Sequence, residues 1–193
     1  MSSVIGENFK VTVFGESHGA AIGMAADGFE AGFKIDINKL QRFLDTRAPG
    51  GYLATPRKEP DKIEFLSGIK DGIICGSPIA AIIRNTNCRS GDYGDMFDVP
   101  RPGHADYTAQ IKYGGAQDIR GGGHFSGRLT APVCIAGGIA RQILESKGVY
   151  VYARIKQIGH VKDDYNYGFP ELTAMRALSE AFPVYSEQKA EDM

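Results

Sequence analysis

Residues 9–19 read Phe9-Lys10-Val11-Thr12-Val13-Phe14-Gly15-Glu16-Ser17-His18-Gly19. Val11 and Val13 alternate with Lys10 and Thr12, the period of a strand with one buried face. Gly15 breaks that run and delivers a polar turn, Glu16-Ser17-His18, at the strand's end. A second, weaker strand is expected over 20–26, closed by the Asp27-Gly28 turn. Beyond it, Asp36 is placed to cap a helix running to Thr46, because Ile37, Leu40, Phe43 and Leu44 share one helical face. Pro49 and Gly50-Gly51 end that helix.

Further along, residues 48–62 read as a Pro- and Gly-rich loop carrying Arg57, Lys58 and Lys62. Short strands are expected over 62–66 and 79–84, then a long ordered loop over 85–103. A short helix follows over 105–113 and is stopped by Gly114-Gly115. The strongest helix covers 130–147, with Val133, Ala136, Ala140, Ile143 and Leu144 on one face and Gly148 past its end. Its Gly137-Gly138 pair lowers helix propensity and implies a close packing partner. Alternation of Val149, Val151, Ala153 and Ile155 predicts a strand, 171–182 a helix, and 186–193 a polar, helix-prone end.

Composition narrows the function. Twenty-two Lys+Arg against 23 Asp+Glu leave a net charge of -1, which argues against a nucleic-acid protein while leaving room for a local phosphate pocket. Glycine, 25 of 193 residues, is about 13% against a usual ~7%, so tight turns and close backbone approaches are expected. Cys75, Cys88 and Cys134 form no C-x-x-C pair and fit a reducing compartment. No apolar run is long enough to span a membrane and the first ten residues do not read as a signal peptide, so a cytoplasmic location is the expectation. His18, His104, His124 and His160 lack ligand spacing, so no metal site is expected.

Four constellations can carry chemistry. Gly15-Glu16-Ser17-His18-Gly19 matches G-x-S-x-G literally, but a nucleophile elbow needs a helix after the turn, and 20–27 shows no helical stripe. The other reading puts Ser17 and His18 at a strand end, with an imidazole able to exchange a proton near neutrality. Arg101-Pro102-Gly103-His104-Ala105-Asp106 fixes the backbone before a helix start, so Arg101 and His104 project from a defined place. Arg120-Gly121-Gly122-Gly123-His124-Phe125-Ser126-Gly127-Arg128 resembles neither a Walker loop nor a dinucleotide fingerprint. Its unshielded backbone N–H groups before a helix, flanked by Arg120 and Arg128, suit an anion or cofactor. Arg47, Arg57 and Lys58 surround the Pro49-Gly50-Gly51 break, either as a solvated basic loop or as anion contacts. Together they imply a polyanionic substrate or cofactor held by arginines, with two histidines as proton carriers. A non-catalytic anion- or flavin-binding module and a serine hydrolase at Ser17 are the alternatives.

In order and spacing, three of these motifs resemble the chorismate synthase family: residues 9–19, Arg101-Pro102-Gly103-His104-Ala105-Asp106-Tyr107, and Asp118-Ile119-Arg120-Gly121-Gly122-Gly123. Glu59-Pro60-Asp61, Leu66-Ser67-Gly68, Arg84-Asn85-Thr86-Asn87, Arg89-Ser90 and Asp92-Tyr93 support the resemblance. It implies an α+β fold, a β-α-β sandwich with helices packed between antiparallel sheets, usually assembled as a homotetramer. Family members run nearly twice this length, so residues 1–193 are expected to be the N-terminal portion of one such domain, with later flavin-site residues beyond Met193 and the fragment alone inactive. The implied reaction is 1,4-anti elimination of phosphate from 5-enolpyruvylshikimate 3-phosphate, giving chorismate and requiring reduced FMN. On this reading His18 and His104 are catalytic: His18 is a general acid near the substrate phosphate, and His104 holds a proton toward the flavin. Ser17, Arg47, Arg101 and Arg128 bind substrate or phosphate. Arg47, His124, Phe125 and Ser126 line the cofactor site, with NADPH expected at Arg47 in bifunctional members.

Two departures from the family pattern are visible. Thr46-Arg47-Ala48 stands where many members have three arginines before Pro-Gly, and Leu53 stands where a later arginine of that loop falls. After the triple glycine, the usual Arg-Ser-Ser-Ala-Arg-Glu-Thr is replaced by His124-Phe125-Ser126-Gly127-Arg128-Leu129-Thr130, which keeps Ser126, Arg128 and Thr130 in place.

Overall fold

The alternation that opens the chain builds an antiparallel sheet in the computed structural model, which describes residues 3–47, 61–86, 99–163 and 182–193. Strands β1 (Val4–Ile5), β2 (Lys10–Gly15), β3 (Ala21–Asp27), β4 (Glu64–Ser67) and β7 (Ile79–Arg84) stand in the order β1-β2-β3-β7-β4. The register pairs Val13 with Met24 and Met24 with Ala81. Val11, Val13, Ile22, Met24, Ala26, Ile79, Ala81 and Ile83 therefore share one face, and all are buried. Helices α1 (Ile37–Asp45) and α3 (Thr130–Ser146) supply Leu40, Leu44, Ile135, Ala136 and Ile139 to the same core. Mixed helices and antiparallel sheet make this an α+β fold, as expected.

The backbone divides into two compact units, Met1–Ile143 and Leu144–Met193. In the first, Asp36 caps α1 by accepting from the Lys39 amide, as the sequence predicted. Gln142 of α3 clasps the same residue: Asp36 N–H donates to Gln142 Oε1 at 2.9 Å, and Gln142 Nε2 donates to the Asp36 carbonyl at 3.0 Å. Helix α2 (Asp106–Tyr113) ends at Gly114 in the left-handed conformation, again as expected. Strands β5 (Ile69–Lys70) and β6 (Ile73–Ile74), paired around Asp71-Gly72, are too short for periodicity to reveal.

Two expectations are corrected. The buried stripe of α3 is Ala131, Pro132, Ile135, Ala136, Gly138, Ile139 and Gln142, whereas Val133 and Leu144 are 41% and 37% exposed. The sheet and α1 choose the side of the helix that is covered. Residues 149–155 are not a strand: Val149 and Val151 are exposed, and the Ile155 amide donates to the Pro183 carbonyl. Alternation without a neighbouring strand forms no ladder. The second unit is organised by buried Asp163, which accepts from the Tyr185 and Ser186 amides and pairs with Arg154. It holds a hairpin of β8 (Gln157–Ile158) and β9 (Val161–Lys162), then α4 (Glu187–Asp192) capped by Ser186. The helix expected over 171–182 and most of the loops over 48–62 and 85–103 lie outside the described residues.

The close partner inferred for Gly137-Gly138 exists at one of the two. A Cβ on Gly138 would lie 2.4 Å from Leu40 Cδ1 and 2.9 Å from Phe43 Cδ1, whereas one on Gly137 meets nothing within 4 Å. Gly137→Ala should therefore stabilise the protein by up to about 1 kcal/mol through helix propensity. Gly138→Ala should destabilise it by about 1–3 kcal/mol through overpacking. Urea denaturation of the two variants checks the opposite signs.

Candidate active site

Where β2 ends, the backbone turns through Glu16–Gly19 and returns as β3. Gly19 N–H donates to the Glu16 carbonyl at 3.0 Å, and the Ser17 amide donates to the Gly123 carbonyl at 3.1 Å. That second bond joins the Ser17-His18 turn to the triple glycine. Gly121, Gly122 and Gly123 all have positive φ, 60°, 105° and 53°. The reason is steric. A Cβ on Gly121 would lie 2.0 Å from His18 Cε1, and one on Gly122 would lie 2.8 Å from His104 Cε1. Two imidazoles from separate motifs thus seat on consecutive glycines of one loop.

Each ring is oriented by a neighbour. Ser17 Oγ donates to the Arg120 carbonyl at 3.3 Å and lies 3.2 Å from His18 Nδ1. The hydroxyl thus stands between the Arg120 carbonyl and the imidazole and fixes the Nδ1 side of the His18 ring. His104 Nδ1 lies 2.8 Å from Asp106 Oδ1, an acceptor, so it carries its hydrogen on Nδ1. His18 is buried and His104 half-buried. The His124 ring is held within the fold: its Nδ1 donates to the Gly15 carbonyl at 2.9 Å, and Nε2 lies 3.0 Å from Ser3 Oγ. Its ring ties the end of β2 to the glycine loop.

The arginines are held by carboxylates of the fold. Arg101 Nε and Nη2 donate to Asp106 at 2.7 and 2.8 Å. Those hydrogen bonds hold the Asp106 carboxyl well below the usual carboxylate range, against the opposing effect of burial. Arg120 grips Asp118 through Nε and Nη2, lowering that carboxyl as well. Asp61 is fully buried and takes one arginine on each oxygen: Arg47 Nη1 on Oδ2 at 2.7 Å and Arg128 Nη1 on Oδ1. Arg47 Nε also donates to Thr130 Oγ1 at 2.9 Å. Arg47, Arg101, Arg120 and Arg128 are thus paired with Asp61, Asp106 and Asp118.

The anion seat expected at the start of the long helix is arranged otherwise. Ser126 Oγ accepts from the Arg128 amide and caps a short 3₁₀ turn, Gly127–Leu129, which stands between the triple glycine and α3. Phe125 is part-exposed, its ring 6.2 Å from that of Tyr113. Of the basic loop, Arg57 and Lys58 lie outside the described residues, as does Arg89. Cys134 packs against the core and burial pushes its thiol up, in keeping with a cysteine acting as a small hydrophobe; Cys75 is exposed. Among the described residues no group of His, Cys, Asp and Glu could hold a metal ion, and no helix is long and apolar enough to cross a membrane.

Sequence reasoning assigned no role to Asp61, Asn85, Asp106 or Asp118. A usable signal was present. Arginines gathered near a half-buried site need carboxylate partners, and Arg101 with Asp106 and Asp118 with Arg120 lie within one turn of chain.

Comparison with known proteins decides the family. A family model described as chorismate synthase matches residues 9–193. The chain belongs to the chorismate synthase family. It is 48% identical over 164 residues to the chorismate synthase of Lancefieldella parvula, covering 84% of this chain and 43% of that protein. It is 43% identical over 185 residues to that of Pyrococcus abyssi, covering 96% of this chain and 50% of the relative. A solved structure titled "Crystal Structure of Chorismate Synthase" superposes with a TM-score of 0.72 at 23% identity, covering 96% of this chain and 51% of that one, and shows the shared fold. The chain spans about half the length of the curated relatives it matches.

Two outcomes follow from this charge arrangement. Asp61→Asn leaves two largely buried guanidinium groups without their shared anion and should cost about 3–5 kcal/mol, read from the urea midpoint. Asp106 has a depressed folded-state pKa, so its contribution is present above the unfolded value near 4 and is lost as pH falls through the lower folded one. The stability gap between wild type and Asp106→Asn should therefore hold from pH 7 down to about pH 4 and close only at more acid pH, measured by denaturation across that range.

Proposed function

We propose that this chain carries part of the active site of a chorismate synthase, which removes phosphate from 5-enolpyruvylshikimate 3-phosphate by 1,4-anti elimination. The observation that carries the reading is the seating of His18 and His104 on adjacent glycines, each ring oriented through Nδ1 by a neighbouring side chain. His18 serves as the general acid at the departing phosphate, and His104 holds its proton in place against the cofactor.

Reduced FMN fits the residues present. The positive-φ glycine loop offers backbone without side chains beside both imidazoles, and Phe125 presents a part-exposed ring next to it. His124, Phe125 and Ser126 are the cofactor-side residues, acting through backbone, since the His124 ring is held by Gly15 and the Ser126 hydroxyl by Arg128 N–H. When bound, reduced FMN supplies an electron to the substrate transiently and recovers it, so the reaction has no net redox change. Arg47, Arg101 and Arg128, with Ser17, hold the phosphorylated substrate by the positive charge that remains once Asp61 and Asp106 are paired. NADPH has little support, because Arg47 already bonds Asp61 and Thr130. The assembly proposed is the family's homotetramer, in the cytoplasm.

A serine hydrolase is disfavoured by the same geometry. The turn is followed by β3 rather than the helix a nucleophile elbow requires. Phosphate release from 5-enolpyruvylshikimate 3-phosphate, followed anaerobically with reduced FMN in the product of the whole reading frame, tests the proposal. His18→Ala and His104→Ala should each slow it by roughly 10²–10⁴-fold. Unchanged rates in both would remove them from the mechanism.

A further inference from the structure

Asn85 lies at the end of β7, and its side chain meets three groups from two parts of the site. Nδ2 donates to the Glu16 carbonyl at 3.0 Å and to the Gly19 carbonyl at 2.9 Å, the two ends of the turn that carries Ser17 and His18. Oδ1 accepts from Arg128 Nε at 3.4 Å, and Arg128 is fixed in turn by buried Asp61. The backbone adds a further tie, from Asn85 N–H to the Ala20 carbonyl at 3.1 Å, extending the ladder in which Arg84 pairs with Ala21.

The amide orientation follows from its partners. Two carbonyls require the NH₂ side and a guanidinium requires the oxygen, so all three contacts are satisfied together by Asn and by no isosteric residue. Asp has acceptors on both sides; Leu has neither.

We infer that Asn85 is a positioning residue that locks the His18 turn to the Arg128–Asp61 pair, fixing the imidazole relative to the guanidinium group. It acts through the Glu16 and Gly19 carbonyls rather than on substrate. The inference rests on the proposed function for the meaning of His18, but the coupling itself is read without turnover.

The test uses the 193-residue chain carrying Asn85→Asp, which keeps the shape and the Arg128 contact and turns an acceptor toward both carbonyls. Amide hydrogen exchange reads the turn at Gly19, whose N–H donates within it, and reads the core at Ile135 and Ile139 of α3. A ¹³C-histidine spectrum reads the His18 ring, with His160 of the second unit as reference. Expected are Gly19 exchange faster by about tenfold or more, a displaced His18 resonance, and core amides and His160 unchanged. Unchanged Gly19 and His18 signals would overturn the inference. So would core amides accelerating alongside Gly19, which would make Asn85 a general stability residue. If the Asp variant fails to fold, Asn85→Ala removes the donors without adding charge and is read in the same way; failure of both overturns the local role. Phosphate release by the whole protein then separates this result from the lyase reading, since the turn can loosen whether or not that reaction occurs.

Discussion

The site depends on a steric condition: two consecutive residues of one loop must have no side chain. At Gly121 and Gly122 the space that a Cβ would take is filled by the rings of His18 and His104. The positive φ values of both glycines belong to the same requirement, since that backbone shape brings the loop against the rings and disfavours L side chains. Ser17, Asp106 and the Ser17–Gly123 backbone bond act on an arrangement this contact has already defined. The triple glycine is thus a mould for two imidazoles.

The topology makes this contact possible. In the register, Gly15 pairs with Ile22 and Ala21 with Arg84, so the end of β2, the start of β3 and the end of β7 lie at one end of the sheet. The 16–19 turn and Asn85 therefore start as neighbours. The glycine loop joins this edge through the Ser17 amide, and Arg128, just beyond it, reaches back to Asn85 and Asp61. A strongly covered sheet face beneath, from Val11 to Ile83, gives that edge a rigid base.

What was legible in the sequence follows from the range of the interactions involved. Strands β2, β3 and β7 and helices α1, α2 and α3 were readable because caps, glycine stops and periodicity act over a few residues. The buried stripe of α3 and the fate of 149–155 were not, because each depends on which distant surface covers the segment. Among site residues, His18 and His104 stood out within recognisable motifs. Asp61 and Asn85 did not: Asp61 lies 67 positions from Arg128, and Asn85 lies 66 from Gly19. The carboxylate partners of the arginines come from within the fold, two of them, Asp106 and Asp118, from the same motifs as their arginines.

Those internal carboxylates set the arginines in place within the fold itself. An arginine already paired with a buried aspartate loses little side-chain entropy on meeting a ligand, and its remaining N–H groups point in a direction set by the pair. Asp61 does this for Arg47 and Arg128 together, and Asp106 does it for Arg101 while also fixing the tautomer of His104. One carboxylate in each case orders a cation and the nearby machinery at once.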